Sequence, residues 1–145
     1  MRWRWFAMAL GAVGATPAFA IFHLAEIHEI MRGVGADASL QYVEVRMLAA
    51  GQASTNGVKL VAFNCDGTNT TVLTTFSGNL ANGGADRRWI VATASPLGGI
   101  ARDFGFPSSP GLPSCGMVCF GIPGTVDAPD DYADCVAYGG YTGPL

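Results

Sequence analysis

The stretch QYVEVRM, residues 41–47, decides the fold class of this chain. Residues 42, 44 and 46 are polar or amphipathic, and they alternate with apolar residues at 43, 45 and 47. A period of two predicts a β-strand with one buried face and one solvated face. The apolar stretch KLVAF, residues 59–63, is more continuous and predicts a strand buried more deeply.

Before and after these two strands, the sequence consists of short apolar runs separated by Gly-rich and Asn-rich turns. This spacing, together with a low content of charged residues (13%), is typical of an all-β sandwich or barrel of about seven or eight short strands. The proline-rich stretch PSSPGLP, residues 107–113, predicts a loop. The predicted strands are Ile21–Ile30, Leu40–Leu48, Val58–Asn64, Thr71–Phe76, Arg88–Thr93, Met117–Gly121 and Ala133–Tyr138.

The N-terminus has the three-part pattern of a secretory signal peptide over residues 1–20. Arg2 and Arg4 precede a short apolar run, and an A-x-A pattern ends at Ala20. The apolar run is shorter than the roughly 20 residues of a transmembrane helix. We therefore expect a secreted, periplasmic or cell-surface protein without membrane insertion after cleavage. Residues 21–145 would form one domain, which could be the truncated part of a longer one.

Cleavage would leave six basic and eleven acidic residues. An acidic chain without a cluster of Lys and Arg lacks the charge that nucleic acid binding needs, so no nucleic acid partner is expected. We expect the partner to be a surface protein or a glycan.

The stretch FHLAEIHEI, residues 22–30, holds both histidines and two of the three glutamates. Its local pattern slightly favours an amphipathic helix over a strand. A metal-dependent hydrolase using His23, Glu26 and His28 is one functional hypothesis. The two histidines are five residues apart, which separates them on a helix and sends them to opposite faces of a strand. No other catalytic motif is present, so we expect no enzyme activity and no cofactor.

Four cysteines in an exported chain predict two disulfides, with three possible connectivities. We favour Cys119–Cys135 across two neighbouring strands, which leaves Cys65–Cys115. A bond between Cys115 and Cys119 is the rival, and a four-cysteine zinc site is the minor alternative.

The acidic stretch DAPDDYADC, residues 127–135, is a candidate structural calcium site because carboxylate oxygens are calcium ligands. A calcium-dependent carbohydrate-binding module is therefore a further hypothesis, in which aromatic side chains serve as sugar platforms. The candidate ligands are Asp127, Asp130, Asp131 and Asp134, and the candidate platforms are Trp89, Tyr132, Tyr138 and Tyr141.

The order of several short motifs resembles the lamin-tail domain, including its versions in exported bacterial proteins. The motifs are HLAEIHEI (23–30), YVEV (42–45), GVKL (57–60) and RRWIVAT (87–93). The resemblance implies an immunoglobulin-like β-sandwich in which FHLAEIHEI is the first strand, and we adopt that strand. It also implies a non-catalytic envelope, structural or binding module, with structural roles for Glu26 and Glu44.

Overall fold

The computed structural model of the protein describes residues 24–93, 99, 101–121 and 132–145. The signal peptide predicted over residues 1–20, and His23, lie outside these ranges. The described part of the chain contains eight β-strands. They are β1 (Ala25–Met31), β2 (Tyr42–Met47), β3 (Lys59–Phe63), β4 (Thr70–Thr75), β5 (Arg88–Ala92), β6 (Phe104–Gly105), β7 (Gly116–Gly121) and β8 (Asp134–Tyr138).

The strands form two four-stranded sheets packed around a common core. Sheet I has the order β1-β2-β5-β6, and sheet II has the order β4-β3-β7-β8. Neighbouring strands are antiparallel, except that β5 and β6 are parallel. Within the described ranges the chain is all-β and has no helix, which confirms the predicted sandwich. It follows that no described segment has the helix length and apolar character needed to cross a membrane.

Strand β2 has the alternation that its sequence predicts. Val43, Val45 and Met47 are fully buried, whereas residues 42, 44 and 46 are partly exposed. The strand lies between β1 and β5, with Val45 opposite both Ile27 and Trp89. The buried side chains of β2 therefore form the sheet I side of the core.

An aromatic cluster fills the space between the sheets. The Trp89 indole meets the Phe76 ring edge to face at 5.3 Å and the Phe120 ring at 6.3 Å. Phe104 of β6 stacks on Phe76 at 4.3 Å. These rings come from both sheets, so their contacts join the two sheets into one body.

Strands β3 and β7 of sheet II are buried on both faces. Leu60 and Phe120 point into the central core. Val61, Phe63, Met117 and Cys119 form a second apolar cluster on the outer face of the sheet, and the partly buried Tyr132, Cys135 and Tyr141 pack against it. This double burial explains why the sequences of β3 and β7 are continuously apolar.

Strand β1 occupies the segment whose local pattern slightly favoured a helix. Its residues pair with β2, and a register shift between Ile27 and Glu29 leaves His28 as the extra residue of a bulge. Ala25 and Ile27 point into the core, while His28 is exposed. Pairing with the amphipathic strand β2 therefore outweighs the helical spacing of Leu24, Ile27 and Ile30.

The other predicted strands all correspond to observed ones, with ends that differ by a few residues. The stretch from Pro107 to Pro113 is a loop, as predicted. The two-residue strand β6 has no signal in the sequence and was not predicted. It forms because Phe104 enters the aromatic cluster and places its backbone beside Val91.

Candidate binding groove

A groove of about 380 Å³ lies at one end of sheet II. Three separate parts of the chain line it: the end of β3, the start of β4 and the proline-rich loop before β7. We call it the hairpin groove. Its lining residues are Ala62, Asn64, Asn69, Thr71, Pro110, Gly111, Leu112 and Pro113.

The β3–β4 turn fixes the polar rim of the hairpin groove. The Asn64 N–H donates to the Asn69 carbonyl at 3.0 Å, and the Asn69 N–H donates to Asn64 Oδ1 at 3.0 Å. Between them, Gly67 has a φ of +74°, and a Cβ there would lie 2.7 Å from the Tyr141 hydroxyl oxygen. The turn therefore needs glycine both for its backbone conformation and for its close contact with the C-terminal segment.

Asp66 and Thr68 tighten the same turn. The Thr68 hydroxyl and backbone N–H both donate to Asp66 Oδ1, at 2.6 and 3.0 Å. These bonds, the hydroxyl first, lower the pKa of the Asp66 carboxyl. The side-chain amides of Asn64 and Asn69 donate to Thr68 Oγ1 at 3.4 and 3.2 Å, so both are oriented by one hydroxyl.

Gln41, which is 8% exposed, holds the opposite wall of the groove in place. Its Oε1 accepts a 2.7 Å hydrogen bond from the buried Leu112 N–H, and its Nε2 donates to the Ala38 carbonyl at 2.9 Å. A Cβ at Gly111 would collide with Gln41 Oε1. The proline-rich loop is therefore fastened to the start of β2 in sheet I by a buried side chain.

The chemistry of the hairpin groove is neutral. Amide and hydroxyl groups of Asn64, Asn69 and Thr71 stand beside the apolar Ala62 and Leu112. Its lining residues carry no ionisable side chain. Such a surface can exchange hydrogen bonds and bury apolar groups, but its side chains cannot act as a general acid, a general base or a hard-metal ligand set.

The carboxylates and histidine of the predicted hydrolase segment lie on the opposite sheet. Glu26 Oε1 is 3.7 Å from Arg46 Nη1, as a surface ion pair. His28 is exposed on the bulge of β1, and His23 lies outside the described residues. Among the residues that the structure describes, no group of three His, Cys, Asp or Glu side chains is arranged to hold a metal ion.

Of the four predicted calcium ligands, the described ranges include Asp134 alone. Asp127, Asp130 and Asp131 lie outside the described ranges. Asp134 begins β8, and its Oδ2 accepts a 2.6 Å hydrogen bond from the Ile27 N–H of β1. Asp134 therefore joins the edge strands of the two sheets through a contact that the sequence analysis did not foresee.

The candidate sugar platforms have different positions. Trp89 is fully buried in the aromatic cluster, so it cannot stack on a ligand from solvent. Tyr132 meets Phe63 edge to face at 6.0 Å. The hydroxyls of Tyr138 and Tyr141 donate to the carbonyls of Pro113 and Pro144, at 3.3 and 2.9 Å. These contacts give the three tyrosines packing roles.

The disulfides are Cys65–Cys115 and Cys119–Cys135, which is the connectivity favoured from the sequence. Cys119 and Cys135 are direct cross-strand partners in β7 and β8. Cys65 and Cys115 join the end of β3 to the start of β7. Both bonds support sheet II, and disulfides are typical of proteins in an oxidising environment.

Sequence reasoning missed the hairpin groove. Its local signals were an Asn at each end of the turn CDGT, residues 65–68, and the proline-rich loop. Neither signal indicates that Asn64 and Leu112 line the same groove. Comparison of the chain with models of known families, with curated proteins and with solved structures finds no match.

Proposed function

We propose that this protein is an exported, non-catalytic β-sandwich module that binds a surface protein through the hairpin groove. The observation that carries the proposal is the neutral lining of the groove, together with the hydrogen bonds that hold its walls. Gln41 and the Asn64–Asn69 turn fix its walls, and its lining side chains include no ionisable group. Such a groove favours recognition over proton transfer.

Export is supported by two independent features. Residues 1–20 have the pattern of a signal peptide, and the cysteines form two disulfides. We place the working protein at the cell surface, in the periplasm or in the extracellular medium.

An immunoglobulin-like arrangement, as in the lamin-tail resemblance, is part of the proposal. In that arrangement the first, second and fifth strands share one sheet, and the third, sixth and seventh share the other. Setting β6 aside, β1, β2 and β5 lie in sheet I, while β3, β7 and β8 lie in sheet II. Strand β4 adds to β3 at the edge, as an extra strand does in variable-type domains.

A protein ligand fits the groove better than a glycan. Sugar rings are commonly held on exposed aromatic faces, but the lining of the groove has none and Trp89 is buried. An uncharged peptide segment can instead place a small apolar side chain against Leu112 and Ala62. Its backbone can then bond with the amides of Asn64 and Asn69.

The test is binding of the purified, labelled protein to envelopes of the source organism. Asn69→Lys places a charge on the groove rim, and Asn56→Lys adds the same charge at an exposed turn outside the groove. We expect Asn69→Lys to weaken binding about tenfold, because a bound neutral segment would then meet an unpaired charge. Asn56→Lys should bind like the wild type.

Treating the envelopes identifies the ligand class. Protease treatment should abolish binding, whereas periodate oxidation of sugars or removal of calcium with a chelator should leave it intact. Unchanged binding by Asn69→Lys, or full binding to protease-treated envelopes, contradicts the proposal. Loss of binding with the chelator would instead favour the calcium-dependent carbohydrate module.

A further inference from the structure

Strand β4 is an open edge of sheet II. It pairs with β3 on one side, and no described residue pairs with its other side. The Asn64 N–H donates to the Asn69 carbonyl across the hairpin, which sets the alternation of inward and outward groups. Because antiparallel partners alternate, the N–H and C=O groups of Thr70 and Val72 point away from β3.

Among the residues that the structure describes, this edge lacks the usual features that prevent strand pairing. Its sequence, TTVLTT, has no charged residue and no proline, and Val72 is 46% exposed. Proteins usually protect an open edge with a charged side chain, a proline or a covering segment. The bulge at Leu73 affects the pairing with β3, but the outward groups of Thr70 and Val72 precede it.

The first strand of sheet I shows the contrast. Edge strand β1 carries Glu26 and Glu29, and its bulge at His28 interrupts the regular edge. The Ile27 N–H is already occupied by the Asp134 carboxylate. The edge of β1 is therefore charged, irregular and partly capped, whereas the edge of β4 is neutral and is not paired by any strand in the described ranges.

We propose that β4 pairs with β4 of a second copy of this chain, in antiparallel orientation about a twofold axis at Thr71. Thr70 of each copy then lies opposite Val72 of the other, and the two residues exchange backbone N–H···O=C hydrogen bonds on both sides of the axis. The two sheets II then form one continuous sheet of eight strands, with an isologous contact.

The chemistry of the edge identifies a second copy as its occupant. A strand with charged groups would place them against uncharged threonines and valine, whereas β4 is neutral and rich in β-branched residues that pair well across strands. A single strand pair is smaller than a standard interface, which buries about 800 Å² per partner. We therefore expect a dissociation constant of roughly 1–100 µM.

Analytical ultracentrifugation of the ligand-free, oxidised protein, produced by expressing the full chain in a secreting host, tests the proposal. The wild type should form a concentration-dependent dimer. Val72→Lys should weaken it at least about tenfold, because the two like charges would be diagonal neighbours across the axis, on one face of the joined sheet. Leu48→Lys replaces another exposed aliphatic residue (51% exposed), outside β4, and should dimerise like the wild type.

A charge exchange makes the test specific for the twofold axis. An equimolar mixture of Val72→Lys and Val72→Glu should recover dimerisation, although each variant alone is mainly monomeric. Hydrogen exchange of the wild-type Val72 amide, which requires no variant, should slow as protein concentration rises. A wild type that stays monomeric to about 1 mM, or a Val72→Lys variant that dimerises normally, overturns the proposal.

Discussion

The outward faces of the two sheets differ in what covers them. On sheet I, Glu26, Arg46 and Arg88 lie in one cross-strand row, in which Glu26 forms a surface ion pair with Arg46. On sheet II, the corresponding face carries the second apolar cluster, including Phe63 and Cys119, and tyrosines lie over it.

This difference shows how a small domain gains buried area. A sandwich of this length has a single layer of core between its sheets, and small domains bury a limited share of their surface. Here β3 and β7 contribute to a core on each side. We therefore expect sheet II to determine the stability of the protein, while the exposed face of sheet I tolerates substitution.

The largest effect should come from Phe63→Ala in the second apolar cluster. Phe63 is 1% exposed, so its truncation should lower the free energy of unfolding by about 3–5 kcal/mol. Ile90→Ala on the outer face of sheet I should cost about 1 kcal/mol, because Ile90 is only partly buried. Urea unfolding of the oxidised proteins, followed by tryptophan fluorescence, measures both, and equal costs would contradict the difference between the faces.

Removing the disulfides one at a time should weaken the protein next. The two bonds span 50 and 16 residues, so loss of Cys65–Cys115 should cost about 4 kcal/mol and loss of Cys119–Cys135 about 3 kcal/mol, by the chain-entropy relation. Paired Cys→Ala variants and thermal unfolding provide the measurement. Variants that melt at the wild-type temperature would show that neither bond supports sheet II.

The third effect concerns Asp134, which connects the two sheets at β1 and β8. Asp134→Ala should lower the free energy of unfolding by about 1.5–3 kcal/mol, since the buried end of β1 loses a charged acceptor for the Ile27 N–H. Asp134→Asn keeps an acceptor and should lose about half as much.

Hydrogen exchange tests whether the loss of stability in Asp134→Ala comes from the lost contact with the Ile27 N–H. The Ile27 amide should exchange faster in Asp134→Ala than in the wild type. Asp86→Ala removes an exposed carboxylate that pairs with Arg46, and it should leave the Ile27 amide unaffected. Equal protection in all three proteins would assign the loss of stability to some other contact of Asp134.

Alkaline pH should lower the stability of the folded protein through Tyr42 in sheet I and Tyr138 in sheet II. Burial, followed by the Glu29 carboxylate, raises the pKa of Tyr42 to about 12, and burial raises the pKa of Tyr138 to about 12. A raised pKa means that the folded state favours the neutral phenol. This contribution to stability is complete below the ordinary value of about 10 and is lost as pH rises towards 12.

Spectrophotometric titration of the four tyrosines checks this prediction. A fraction of the tyrosinate signal should develop near pH 12 in the folded protein, and this delay should disappear in denaturant. Tyr138→Phe should remove part of the delayed fraction. A delayed fraction of unchanged size in that variant would contradict the assignment.

The smallest effect should come from the ion pairs of sheet I. Arg88 Nη1 and Glu44 Oε1 are 3.0 Å apart, with the Arg88 side chain 52% exposed. A double-mutant cycle with Arg88→Gln and Glu44→Gln should give a coupling of about 0.2–1 kcal/mol that declines with salt. A coupling that matches the loss in Phe63→Ala would show that the charged face supports the fold as strongly as the apolar one.

Much of the sandwich could be predicted because its signals are local. The alternation of β2 and the continuous apolar run of β3 each report directly on how many faces are buried. The pairing of Cys119 with Cys135 was favoured because their strands are neighbours in sequence.

The rest depends on contacts between distant parts of the chain. The hairpin groove needs Gln41 to hold Leu112, which is 71 residues away. Likewise, the Asp134–Ile27 contact joins residues 107 apart, and neither residue type signals it. Local pattern cannot specify such pairs, because each one joins residues that are far apart in the sequence and are brought together by the packing of the two sheets.

The positions of the two disulfides also determine how the folded chain responds to tension. If the domain is pulled through β1 and β8, each disulfide carries the force directly between its two cysteines. The chain between those cysteines, with residue separations of 50 and 16, then cannot extend when the domain unfolds. Since an extended residue spans about 3.3–3.6 Å, the oxidised domain would lengthen by roughly 200 Å less than the reduced one when pulled. Under such a load, the two cross-links of sheet II would limit the extension of the domain even after its core has opened.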